Sequence, residues 1–238
     1  MPIEKRYHET ADPHRSDSWL TDLVLGGQDG LVNVLGMVLG VAAATGSTRV
    51  VLVAGLAAGF SGSVSMAAVA YTSKRAAGDL FTSERAREYR HIESVPQLER
   101  EEVRAIYERK GFEGEMLERI LDTITSNKEV WVAVMMTEEH RLTEIDRKTS
   151  LRSAAIVGVT SLLGSLLPLG PFLILPILAG ACTAVVLAAV TLFALGAYKA
   201  KVTVGDPLKS GLGLAAIGTA SAFIGYGVGA LLGVRAVP

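Results

Sequence analysis

Cysteine is all but missing from the 238 residues. The single thiol, Cys182, sits inside an apolar run, which excludes a disulfide framework and a thiolate metal cluster. Aromatic residues are also scarce, at 6% against 25 glycines, a balance unusual for a packed soluble core. An excess of charge is lacking too. The formal net charge is -1, so the balance gives no reason to expect nucleic acid as a partner. The polar opening Met1-Pro2-Ile3-Glu4-Lys5-Arg6 does not read as a signal peptide.

Four stretches contain no Asp, Glu, Lys, Arg or His: 30–48 (19 residues), 50–73 (24), 153–198 (46) and 210–234 (25). A helix crossing a bilayer needs about 20 apolar residues, so the third stretch must cross twice. Its turn is expected at Leu167-Pro168-Leu169-Gly170-Pro171, where two prolines and a glycine cannot continue one helix. Charge is concentrated instead in residues 74–152, which hold 32 of the 47 charged side chains, 15 basic and 17 acidic. The pattern predicts an all-α protein: five membrane-spanning helices, with a small helical domain between helices 2 and 3.

The expected organisation is an N-terminal segment at 1–27, helices 1 and 2 at 28–73, the polar domain at 74–150 and helices 3 to 5 at 151–234. Trp19, Leu20, Leu23 and Val24 follow Asp17 and Ser18 at helical spacing and read as a short interfacial helix before the first span. Placing the N-terminus and the polar domain on one side collects 21 of the 23 basic residues there, leaving only Arg49 and Arg235 opposite. The positive-inside rule makes that side cytoplasmic. Short extracytoplasmic loops without a glycosylation signal point to a prokaryotic inner membrane.

The polar insert is too long for a loop and carries helical patterns of its own. One continues span two to about Glu93 and stops near Ser94-Val95-Pro96. A second, with Leu98, Val103, Ile106 and Tyr107 on one face, ends at Lys110-Gly111, and a third carries Met116, Ile120, Leu121 and Ile124. Glu88 and His91 are three apart, as are Glu99 and Glu102, and on a helix that spacing puts two ligands within reach of one ion. Carboxylate and imidazole suit Fe(II), Mn(II), Co(II) and Zn(II). Surface helices are also full of Glu at this spacing, and Glu101, Glu108, Glu113, Glu115 and Glu118 read as solvated faces. Met135 and Met136 beside Glu139 read, taken alone, as packing.

In the spans, Asp29 borders the first apolar run, and a membrane-buried acid is a functional-site hypothesis by default. Asn33 and Met37 follow at i+4 and i+8, which makes one stripe, and span two offers Ser61, Ser65 and Met66. Oxygen and sulfur ligands on two facing helices can pass a divalent ion, while a carboxylate can carry either metal or proton. Capping of the helix at the interface is the competing role for Asp29. Glycines at 36 and 40, 55 and 59, and 225, 229 and 233 are spaced for close helix approach.

With Gly27-Gln28-Asp29-Gly30-Leu31, Ser65-Met66-Ala67, Glu88, Pro96, Glu99, Glu102 and Met135-Met136-x-x-Glu139 in this order, the chain resembles the vacuolar iron transporter family from about His14 onward. The resemblance implies a homodimer that exchanges Fe(II), and often Mn(II), for protons across a lipid membrane, vacuolar if the organism is eukaryotic. It implies that Asp29 and Met66 line the pathway, to which the helical spacing adds Asn33, Met37 and Ser65, and that Glu88, Glu99, Glu102, Met135, Met136 and Glu139 bind metal in the cytoplasmic domain. One position departs from the family pattern: His91 stands where a second Glu is common, which shifts preference toward Zn(II), Co(II) or Ni(II). The expected function is a non-enzymatic, proton-coupled exporter of metal from the cytoplasm. The alternatives are a membrane-anchored iron-binding ferroxidase and a passive metal channel.

Overall fold

The computed structural model describes residues 18–233. Lys5, Arg6, Arg15, Asp17 and Arg235, which entered the orientation and helix-start arguments, lie outside the described residues. Within them the chain is helical, with no strand. In order the elements are α1 (Ser18–Thr45), α2 (Thr48–Ser94), α3 (Pro96–Arg109), α4 (Gly114–Thr125), α5 (Lys128–Val134), a π-helical turn (Met135–Glu139), α6 (Arg147–Leu166), a 3-10 segment (Leu167–Leu173), α7 (Ile177–Val202) and α8 (Pro207–Leu232). Five of these are long and apolar enough to cross a membrane: α1, the first part of α2, α6 with its 3-10 extension, α7 and α8. The chain is thus an all-α polytopic membrane protein, as the charge-free runs require.

Two local expectations are corrected. Trp19, Leu20, Leu23 and Val24 are not a separate interfacial helix but the opening turns of α1. Gly26 and Gly27 do not break α1, because the missing side chain at Gly26 lets it lie against the Val157 carbonyl and the Thr160 hydroxyl of α6. The second concerns 167–171, which does not reverse the chain. It winds as the tighter 3-10 segment, with Pro168, Leu169, Pro171 and Phe172 buried, and the reversal comes at residues 174–176.

The structure divides into two compact units, one of residues 71–151 and one formed by the rest of the described residues. In the membrane unit α1 is central. Leu31, Val34, Leu35, Val38 and Leu39 on α1 pack with Val51, Leu169, Phe172, Ala184, Ala188, Leu192 and Ala222 from the surrounding elements. Bilayer lipid supplies no hydrophobic drive to bring such helices together, so close backbone contact has to do it. The glycines provide that contact within one chain: Gly36 and Gly40 of α1 lie against Ser221, Gly225 and Gly229 of α8. Ser221 Oγ donates to the Val32 carbonyl at 3.1 Å across the same seam. A side chain at Gly225 would meet the Gly36 backbone, whereas one at Gly227 meets nothing within 4 Å. Gly225→Leu is therefore expected to destabilise the unit by about 1–3 kcal/mol or more. Thermal unfolding of the detergent-solubilised protein checks this, with Gly227→Leu expected to unfold at the wild-type temperature.

The polar unit follows its punctuation. Pro96 opens α3 at a position where a missing N–H costs nothing, and Gly111 (φ +90°) closes the turn after it. Asn127 caps α5, its side chain accepting from the amides of Glu129 at 2.9 Å and Val130 at 3.3 Å. The core joins Ile92, Val103, Leu117, Leu121, Ile124, Trp131, Val132, Met135 and Met136. Of the expected faces, Val103, Ile106, Leu121 and Ile124 are buried and Tyr107 and Ile120 pack against them, and only the first residue of each face differs. Leu98 is 56% exposed and Met116 62%, while Leu117 and Glu99 turn inward beside their neighbours. For α4 the inward set Leu117, Leu121 and Ile124 keeps the helical period. For α3 it places a carboxylate where a hydrophobe was expected.

Candidate metal centre and membrane cavity

Three elements of the polar unit bring carboxylates together. The last turns of α2 supply Glu88 and His91, the first turns of α3 supply Glu99 and Glu102, and the π-helical turn after α5 supplies Glu139. Glu99 is 1% exposed and Glu88 2%, and each keeps one carboxylate oxygen with no hydrogen-bond partner. Buried acids of this kind are costly unless something answers their charge. Here the first answer is a proton. Burial, reinforced by the nearby carboxylates of Glu102, Glu88 and Glu139, pushes the Glu99 carboxyl up to about 7. Glu139 is raised as well, again first by burial and then by Glu102.

The imidazoles sit at the edge of this cluster. His91 Nδ1 lies 3.2 Å from Glu99 Oε1. A residue the sequence reading did not single out, His140, places Nε2 3.0 Å from Glu88 Oε1. Ligand atoms of Glu88, Glu139 and His140 all lie within 4.8 Å of one another. Glu144 stands four residues after His140, but residues 141–146 are not helical, so that spacing does not bring the two onto one face. The one available signal for His140 was direct succession to Met135-Met136-x-x-Glu139.

Met135 and Met136 are fully buried in the apolar core of the unit, where they pack with Val103, Leu121 and Trp131. The π turn that they open carries Glu139 round to the carboxylates. Glu101, Glu115 and Glu118 pair instead with Arg104, Arg119 and Arg100 at the surface, as solvated groups should.

In the membrane unit, Asp29, Asn33 and Met37 line a cavity of about 270 Å³ together with Ser61 of α2 and Ser161 and Ser165 of α6. Asp29 and Asn33 also border a second cavity of about 310 Å³ with Gln28 and Ser221. The stripe on α1 is thus gathered at one place. Ser65 and Met66 are not among the residues lining either cavity, and Ser65 is exposed. Ser161 and Ser165 were missed because a serine in a span reads as helix packing. Their spacing of four, with Ser153 eight residues before Ser161, was the available signal, and all three are buried. The Ser161 hydroxyl has no partner.

Five apolar helices, a carboxylate in a polar cavity among them and a separate helical unit with buried carboxylates define a polytopic membrane protein with a polar helical insert. Comparison with known proteins gives the family. Residues 20–230 match the profile of the VIT family, and the chain belongs to it. It is 30% identical over 212 residues to Vacuolar iron transporter 1 of Arabidopsis thaliana, covering 89% of this chain and 85% of that one. It is 31% identical over 208 residues to Vacuolar iron transporter 1 of Eucalyptus grandis, covering 87% and 84%. With a vacuolar iron transporter of Toxoplasma gondii it shares 30% identity over 235 residues, covering 94% and 78%.

Proposed function

We propose that this protein is a divalent-metal transporter that moves Fe(II), and Mn(II) alongside it, out of the cytoplasm in exchange for protons. The relatives' names support iron as cargo. What carries the metal reading is the pair Glu88 and Glu99, buried acids that each keep a free oxygen beside Glu139. A cation bound there answers charges that water does not reach.

In this reading the polar domain is cytoplasmic and captures metal with Glu88, His91, Glu99, Glu102 and Glu139, while Met135 and Met136 supply soft sulfur. The pathway runs from the cavity residues Asp29, Asn33 and Met37 to Ser65 and Met66, with Asp29 binding metal or proton alternately. Ser65 and Met66 lie outside the cavities of one protomer and join the pathway at the dimer interface. The protein works as a homodimer in a prokaryotic inner membrane. His91 widens the range of bound ions toward Zn(II) and Co(II).

The pH dependence follows from Glu99. Metal needs the ionised carboxylate, so a group titrating at about 7 must lose its proton as metal binds. Affinity is expected to be level above pH 8 and to fall by about tenfold per pH unit below 7, read by equilibrium dialysis of the full chain. Affinity unchanged between pH 8 and pH 5.5 would remove Glu99 from the ligand set. Transport itself is tested by Fe(II) uptake into proteoliposomes, expected to accelerate when the interior is made acidic.

A further inference from the structure

We propose that His140, together with Glu88 and Glu139, forms a nitrogen-containing metal position that makes the domain favour Zn(II), Co(II) and Ni(II) over Mn(II). This rests on the reading of the domain as a metal-capture unit and adds a ligand to it.

His140 and Glu88 are hydrogen-bonded at a separation that two ligands of one ion also adopt. Two ligand atoms bound at about 2.1 Å and at right angles stand about 3.0 Å apart. His140 Nε2 and Glu88 Oε1 are 3.0 Å apart. The three ligand atoms fall within 4.8 Å, against about 4.2 Å for two ligands on opposite sides of an ion, so a small side-chain rotation suffices. Independently of that spacing, Glu88 Oε2 is buried without a partner, leaving one carboxylate oxygen free to turn to a cation.

The backbone holds the imidazole in place. His140 ends the π-helical turn, its N–H donating to the Met135 carbonyl at 3.2 Å. Arg141 follows in the left-handed region at φ +55°, a conformation that costs a non-glycine residue about 1 kcal/mol. Leu142 N–H then donates to the Met136 carbonyl at 3.0 Å. Chain reversal at a non-glycine residue, directly after the π turn that presents Glu139, fixes Glu139 and His140 side by side. The charges around Glu139 are mixed: Glu102 and Glu88 oppose its ionisation, while His140 itself and Arg87, the latter paired with Glu84, favour it. One imidazole nitrogen among hard carboxylates raises affinity most for late first-row ions and zinc.

The test uses the full chain in detergent, loaded with Mn(II), with nitrogen coupling read by electron spin-echo modulation. His91→Glu removes the other domain imidazole. The expected result is that ¹⁴N modulation persists in His91→Glu and disappears in His91→Glu/His140→Gln. In the single variant His140→Gln, the ratio of Zn(II) to Mn(II) affinity is expected to fall at least tenfold while Mn(II) affinity stays within about threefold. A structural partner of Glu88 that never touches metal would not produce nitrogen coupling. If manganese binds to His91→Glu without ¹⁴N modulation, the assignment of His140 is overturned and the capture domain stands. If the wild-type chain binds no metal, both fail together.

Discussion

Asp29→Asn is expected to reduce proton-coupled metal uptake by about 100-fold or more while leaving the protein folded and its polar domain binding metal as before. The substitution keeps the shape of the side chain and its capacity to accept a hydrogen bond. It removes only the ability to exchange a proton for a cation. Asp29 is the one acid among the residues that line the 270 Å³ cavity, the others being Asn33, hydroxyls and small or apolar groups. Neutral oxygens there can help hold an ion but cannot discharge one by taking up a proton. A carboxylate inside a membrane helix is expensive to retain without such a use. Uptake within threefold of wild type would return Asp29 to the role of a polar group at the helix end.

Glu99→Gln produces the second large effect, with opposite signs on binding and stability. Metal affinity is expected to fall by at least 100-fold, since the most deeply buried carboxylate of the cluster is neutralised. The metal-free domain, in contrast, gains stability at alkaline pH. In an unfolded chain Glu99 ionises near 4.5, and in the folded domain near 7, so folding disfavours the charged form. The metal-free domain therefore loses stability through this group as pH rises from about 4.5 to about 7, and the loss is complete above that. A shift of that size corresponds to about 3 kcal/mol, an upper bound on what Glu99→Gln recovers at pH 8.5. Denaturant unfolding with and without chelator checks it: the variant is expected to be the more stable without metal and to gain nothing when metal is added.

The spans were legible because their signal is compositional and long-ranged. No alternative fold absorbs 46 consecutive residues without a charge, and the breaks at Pro96 and Lys110-Gly111 carry their own backbone chemistry. The carboxylate pairs were legible from spacing, and the structure gathers Glu88, His91, Glu99, Glu102 and Glu139 from three elements. The first residue of each inward face was not. Hydrophobicity alone places Leu98 inside α3, but the helix turns Glu99 inward, where the other carboxylates lie, and leaves Leu98 exposed. His140 and the α6 serines were invisible for a related reason. Each acquires meaning only through a neighbour distant in sequence, Glu88 for the first and Asp29 for the others. The glycine stripes show the same limit from the other side. Their spacing announces close packing, but only the coordinates show that Gly36 and Gly40 find their partners on α8 of the same chain.

The most direct test of exchange records both ions at once, in proteoliposomes that hold a metal-sensitive dye and a pH-sensitive dye under an inwardly acidic gradient. Fe(II) entry is expected to be matched by alkalinisation of the lumen, with both signals lost in Asp29→Asn. Metal entry with a steady internal pH would contradict proton coupling and leave a passive channel in its place.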